Sequence, residues 1–246
     1  MLSVYNADFH IHSCLSPCGD LDMSPQRIVT KALERDLNLI AITDHNSSEN
    51  AIATSKAADK TSLTVFFGME VASEEEAHLI ALFDKFCFLQ VFQQFVYDNL
   101  ISFGIDQRTI QDQIIVNEND EIEGFNDHLL LGATSLNFKQ LVDEVHRLNG
   151  LAIASHVDRE SFSIVTQLGF IPEDLELDAL EISSFTSLDE AMQLMPDAAR
   201  FPLVKFSDAH YLKDIGRQKT DFLIQKPSIS EIKMALKNMN GRRVMV

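Results

Sequence analysis

The chain has 246 residues, 46% of them apolar and 23% charged. Those are the proportions of a globular protein able to bury a large core, and the length suits one α/β barrel. A net charge of −17 argues against duplex nucleic acid as a partner, because duplex binding needs many lysine and arginine contacts to phosphate. It leaves room for a small phosphorylated substrate, a nucleotide or a short oligonucleotide where a bound cation dominates the local field.

No apolar run approaches the ~18–20 residues of a membrane span, so no membrane partner is expected. The opening residues Met1 to Asn6 carry neither a basic region nor an apolar core, and the thiols are few and odd in number: Cys14, Cys18 and Cys87. Together these predict reduced cysteines and a cytoplasmic location.

In chain order, residues 4–10 read as a strand that runs into Asp8-Phe9-His10-Ile11-His12. Alternation along a strand puts the two imidazoles on one face. The loop 13–19 carries Cys14 and Cys18; with no second cysteine pair it reads as a shaped rim loop ahead of a zinc knuckle. Ser24-Pro25 opens a helix with Ile28, Ala32 and Leu33 on one side. Strand 39–43 ends in Thr43-Asp44-His45, helix 50–60 follows, and strand 63–69 ends in Glu70. Strand 79–83 is preceded by His78.

The very apolar stretch 86–100 has helical spacing. It reads as core packing, with a homodimer face as the alternative. Residues 112–131 read as a hairpin or lid-like insertion, placed at about 110–132, in an otherwise single domain. A helix at 138–148 leads to strand 151–155 and His156. After strand 179–182 and helix 187–194, strand 203–206 ends in Ser207-Asp208-Ala209-His210. A helix at 228–238 and a strand at 242–246 close the chain. Strand–helix alternation of this kind predicts a parallel sheet, open or closed.

Five segments thus end an apolar strand with His, Asp or Glu. One such residue is readily a cap or a satisfied core group. Five on one rim are not, because unpaired buried imidazoles and carboxylates each cost several kcal/mol, and a shared cation is the simplest partner. Imidazole with carboxylate and no paired thiolates suits zinc, manganese or iron.

The ordered set His10-x-His12, Thr43-Asp44-His45, Glu70, His156 and Ser207-Asp208-Ala209-His210 resembles the PHP (polymerase and histidinol phosphatase) family over nearly the whole chain. The resemblance implies a distorted (β/α)7 TIM-like barrel with two or three divalent ions at its rim. His10, His12, Glu70 and Asp208 would hold one ion. Glu70 would bridge to a second, completed by His78 and His156. Asp20, His45 and His210 would hold a third. Asp22 competes with Asp20, and Asp84 with His78.

The implied reaction is hydrolysis of a phosphate mono- or diester by water activated between metals sharing Glu70. Asp208 would relay the proton, and Arg159 or Arg217 would bind a phosphate oxygen. A surface ion pair with Asp158 or Glu160 is the competing account of Arg159. His128 and His146 are left outside the site. Two features depart from the family: Val157 stands where many relatives have proline, and the 13–19 loop is longer. Two other functions compete. A C–N bond hydrolase of the amidohydrolase type would often bridge its metals with a carbamylated lysine, where Glu70 stands here. A non-catalytic metal-stabilised module would usually lack several of these ligands.

Overall fold

A computed structural model describes residues 1–101 and 112–245; residues 110 and 111 of the expected insertion lie outside that range. Its first strand, β1 (Ser3–Ile11), is buried over its second half. Ser24 and a first-turn proline start α1 (Pro25–Glu34), which buries Pro25, Ile28, Val29 and Ala32. Then come β2 (Leu39–Ile42), α2 (Glu49–Ala57), β3 (Thr64–Ala72) and β4 (His78–Phe83). The apolar stretch forms α3 (Phe86–Tyr97), with Leu89, Phe92 and Val96 buried at helical spacing.

β5 (Ile114–Val116) and β6 (Ile122–Phe125) pair as a separate antiparallel hairpin. A capping box between Asn137 and Gln140 starts α4 (Phe138–Arg147). Next are β7 (Leu151–Ala154), α5 (Ile164–Leu168) and β8 (Ala179–Glu181). Ser187 and Glu190 cap α6 (Leu188–Leu194) in the same reciprocal way. The chain ends with β9 (Leu203–Val204), β10 (Thr220–Ile224), α7 (Ile229–Leu236) and β11 (Arg243–Met245).

One nine-stranded sheet runs β11-β10-β1-β2-β3-β4-β7-β8-β9. Ile11 then bridges Ala209 in parallel, just past β9, so the sheet curls into a nearly closed barrel. This is the expected α/β, TIM-like architecture in distorted form. Strict β/α alternation fails at the β5–β6 hairpin, at the C-terminal end, where β10 pairs antiparallel with β1 and β11, and, most consequentially for the rim, at β4. β4 follows β3 with no helix between them and runs antiparallel to both β3 and β7. The start of β4 therefore lies beside the C-terminal ends of its neighbours.

Phe9, at the centre of the inner core, packs its ring against Phe66, Phe206 and Phe222 at centroid distances of 5.4, 5.2 and 5.8 Å. α7 joins the same cluster through Ile229, Ile232 and Ala235, while Ile11 belongs to the outer cluster beneath the helices. The inward face of β1 thus changes parity after Phe9. The cause is a β-bulge: Asp8 pairs with Ile40, and three residues on, Ile11 pairs with Ile42. The extra residue turns His10 and His12 inward at the rim. Among the described residues no helix is long and apolar enough to cross a membrane.

Candidate metal centre

Glu70, 1% exposed, is the hub of the rim. Its Oε1 faces His10 Nε2 at 3.2 Å, His78 Nδ1 at 3.1 Å and His156 Nε2 at 3.3 Å. Its Oε2 faces His45 Nδ1 at 3.1 Å and His12 Nε2 at 3.5 Å. Asp208 Oδ1 closes the opposite side, 3.3 Å from His10 Nε2 and 3.2 Å from His12 Nε2. His78 reaches this cluster because β4 is antiparallel, so a residue that starts a strand stands with residues that end theirs. Its rival Asp84 lies at the other end of β4 and accepts from Ile229 N–H, at the start of α7.

Three groups of donor atoms lie within 4.8 Å of one another: His10, His12 and Asp208; His45, Glu70 and His78; and His12, Cys18, His45 and His210. Several of these atoms have no hydrogen-bond partner although fully buried, namely His10 Nε2, His12 Nε2, Glu70 Oε1 and His78 Nδ1. Buried polar atoms are nearly always satisfied. Four orphans converging on one point fit a shared cation, and the donor set is one that divalent metals accept.

The ring atoms are aimed by residues behind them. His10 Nδ1 lies 2.9 Å from both oxygens of Glu181. Glu181 also accepts from His156 N–H at 3.0 Å. Ser16 Oγ donates to Asp44 at 2.7 Å, so it accepts from His12 Nδ1 at 3.0 Å. In each case the Nδ1 proton is fixed and Nε2 is left bare toward the centre. Asp8, at the bulge, accepts from Ser207 N–H and Gly216 N–H at 3.0 and 2.9 Å. Burial pushes its carboxyl up to about 6, against the pull of those hydrogen bonds. His156 and Asp208 are held at φ +29° and +49°, a backbone strain that functional sites retain.

The protonation states also suit a metal. Burial, with His210 alongside, brings His12 down to about 4. Burial likewise holds His45 well below its ordinary value. Burial would raise Glu70 and Asp208, but the imidazoles facing them hold both well below the carboxylate range. The result is neutral His12 and His45 beside ionised Glu70 and Asp208, the form in which these groups bind metal. His10 is the exception: burial would lower it, but Glu181, Glu70 and Asp208 hold it well above its ordinary value.

Glu181 is the functional residue that sequence reasoning missed. The signal was there, since Glu181 ends the buried strand β8 with a carboxylate. Substituting Glu181→Gln will weaken metal affinity about 10–100-fold, the usual cost of losing a hydrogen bond behind a ligand. Competition against a chromogenic chelator measures it. Unchanged affinity would mean that Glu181 only fills space.

Asp20 is not part of the cluster. Its N–H donates to His210 O at 2.9 Å, and its carboxylate turns back to accept from Asp22 N–H at 2.8 Å. Asp22 pairs with Arg27 at the surface. The third group holds Cys18 instead. Cys18 is exposed at the rim, where partial desolvation and the carboxylates of Glu70, Asp44 and Asp208 push its thiol up to about 12.

The two arginines also separate. Arg159 Nη2 lies 2.5 Å from Asp208 Oδ2 and lines the pocket. Arg217 is 63% exposed, near Asp214 at 3.9 Å and outside the pocket lining. The cause is the turn at Gly216 (φ +70°), whose N–H is tied to Asp8. That turn carries the chain away from the rim. His146 pairs with Asp178, and His128 stacks on Tyr97, both away from the centre. The pocket above the cluster has a volume of about 320 Å³ and is walled in part by Leu130, Leu131 and Phe162. Phe162 stacks on His78 at 4.7 Å.

No curated protein matches this chain. Among solved structures, the lesion-specific endonuclease Q of Pyrococcus furiosus matches with a TM-score of 0.75 at 19% identity, covering 99% of this chain and 58% of its own. A second endonuclease Q structure, bound to a 27-mer duplex with an abasic lesion at its active site, matches with 0.70 at 19% identity, over 99% and 59%. The chain therefore spans under two thirds of endonuclease Q. A Bifidobacterium adolescentis protein described as a metal-dependent phosphoesterase matches with 0.56 at 15% identity, over 86% and 90%. An amidohydrolase from Chromobacterium violaceum matches with 0.58 at 18% identity, over 86% and 90%. At these identities the likeness is one of fold.

The duplex in endonuclease Q corrects one expectation. A net charge of −17 is no ground for excluding duplex nucleic acid, because endonuclease Q, whose fold this chain shares, binds a duplex, and local fields at a site can outweigh the overall sum. The family model for the PHP domain matches residues 8–168, the segment that carries the cluster from His10 through His156, and the chain belongs to the PHP domain family.

Proposed function

We propose that this chain hydrolyses phosphate mono- or diesters, with a small metabolite or a nucleotide carrying the phosphate, at a site for two or three divalent ions: zinc, manganese or iron. The reading rests on the convergence of unpartnered imidazole and carboxylate atoms on Glu70 beneath an open pocket. His10, His12, Glu70 and Asp208 would hold one ion. Glu70, His78 and His156 would hold a second, and His45 and His210 face a third. Bound there, divalent ions would acidify water and neutralise charge developing at phosphorus.

The chain's own residues do the rest. Asp208 has Oδ1 on the cluster and Oδ2 toward Arg159, so Oδ2 is placed to take a proton from attacking water. Arg159 is half-buried at the pocket wall; its guanidinium can leave Asp208 for a phosphate oxygen and hold it by paired hydrogen bonds. Leu131 and Phe162 keep water from one side of the pocket. A pocket of about 320 Å³ is at the small end for ligand sites and admits a phosphoryl group with part of its ester.

The test is a panel of phosphomonoesters, phosphodiesters and amides, with an abasic-site duplex added because endonuclease Q binds one. It is run with wild type, His10→Ala and Asp208→Ala. Turnover of a phosphate ester that both substitutions abolish supports the proposal; turnover that both variants retain, or cleavage of amides alone, overturns it. On the same substrate Arg159→Ala will raise KM about 10–100-fold, the worth of one or two hydrogen bonds to a charged group. A KM equal to that of wild type would return Arg159 to a structural pairing with Asp208.

A further inference from the structure

The loop 13–19 is built with more constraint than a surface connection needs. Asp44 accepts from Ser13 N–H, Ser13 Oγ and Ser16 Oγ at 2.6–2.7 Å. Gly19 N–H donates to Ser16 O at 2.8 Å. A Cβ at Gly19 would lie 2.3 Å from Ser13 O, so only glycine lets the loop close. Asp20 N–H then ties the exit to His210 O. The one reactive side chain this folding turns toward the cluster is Cys18.

Cys18 Sγ lies within 4.8 Å of donor nitrogens of His12, His45 and His210. A cysteine in such a place could be chance, but two imidazoles are aimed at the same spot independently of it. His12 is fully buried, and its Nε2 has no hydrogen-bond partner. His210 has Nδ1 engaged by Asp208 O at 2.9 Å, which leaves Nε2 free. The two rings stack 4.3 Å apart at 19°.

We infer that Cys18, with His45 and His210 and beside the His12 ring, forms a thiolate–imidazole site for a thiophilic divalent cation, zinc above all, at the outer end of the cluster. This deepens the metal reading of the proposed function and rests on it. One sulfur with imidazole nitrogens is a tetrahedral zinc set. A thiolate favours zinc over manganese or magnesium, whereas the Glu70–Asp208 side of the cluster is oxygen-rich and accepts harder ions. The site also makes the protein open to inactivation by oxidation, since a sulfenic or sulfinic acid at Cys18 is no longer a thiolate ligand.

Cobalt(II) tests this without using activity. The full chain is stripped with chelator and dialysed against cobalt; bound metal is counted, and the near-ultraviolet thiolate-to-cobalt charge-transfer band is recorded. Wild type will show the band. Cys18→Ser will lose it together with about one equivalent of cobalt, whereas Cys14→Ser and Cys87→Ser will keep both. Cys18→Asp will regain the equivalent without the band, which shows that the loop still folds. A band that survives in Cys18→Ser, or cobalt bound by wild type without any band, overturns the inference. If wild type takes up no cobalt at all, the metal reading of the whole cluster fails and this site with it.

Discussion

Glu70→Gln will lower kcat/KM by about 10³-fold or more, equivalent to some 4 kcal/mol of lost transition-state stabilisation, and will remove at least one bound metal. The substitution keeps size and shape, so what it removes is charge. Both Glu70 oxygens are used: Oε1 toward His10, His78 and His156, and Oε2 toward His12 and His45. A glutamine must turn an NH2 group toward one of those sets. Donors would then face ring nitrogens that need their lone pairs for metal, and the other set would keep only a neutral oxygen. Among the described residues no other carboxylate stands ready to substitute, because Asp208 faces His10, His12 and His210 but neither His78 nor His156 and Glu181 is committed behind His10. Metal content and turnover measured on the same preparation decide the matter. Normal metal content with turnover within about tenfold of wild type, under 1.4 kcal/mol, would remove Glu70 from the centre of the mechanism.

What the sequence could and could not reveal follows from the range of the forces involved. Strand ends that carry His, Asp or Glu are local patterns, and the local patterns predicted one sheet edge lined with them; that the sheet closes into a barrel was what the family resemblance implied. His78 was harder, since it opens its strand. Only the antiparallel pairing of β4 with β3 and β7 brings it to the rim, and strand direction is a property of the whole sheet. Asp20, expected in the third group, lies outside the donor clusters for a similar reason. Counting residues along a loop cannot register a turn that folds back on Ser13 O and needs glycine at position 19. Arg159 and Arg217 look alike as sequence. A turn tied to Asp8, more than two hundred residues earlier in the chain, sends Arg217 outward. β10 and α5 were not foreseen: β10 is an antiparallel strand between β1 and β11, outside the strand–helix rhythm, and α5 is five residues long, held by a Ser163 cap rather than by an apolar stripe.

Stripping the metals will lower the melting temperature by about 5–10 °C without unfolding the protein at room temperature. An ion present at 100 times its Kd stabilises the native state by about 2.7 kcal/mol, and a chain of this size shifts by about 2–4 °C per kcal/mol. The barrel itself does not need the ions. Phe9, Phe66, Phe206 and Phe222 pack in the inner core, where no metal ligand enters. The loss should therefore fall on the rim, and unevenly. His156 and Asp208 keep a left-handed backbone at a cost of about 1–3 kcal/mol each, and a bound ion is what would hold them there. Once it is gone, those turns have reason to relax, whereas β1 and β4 stay locked in the sheet. Hydrogen exchange should then quicken on chelation at residues 156–159 and 207–210 and stay slow in β1 and β4. Equal melting temperatures with and without chelator would show that the converging orphan atoms do not serve a cation. Collapse of the whole sheet on chelation would show that the metals build this barrel as well as arm it.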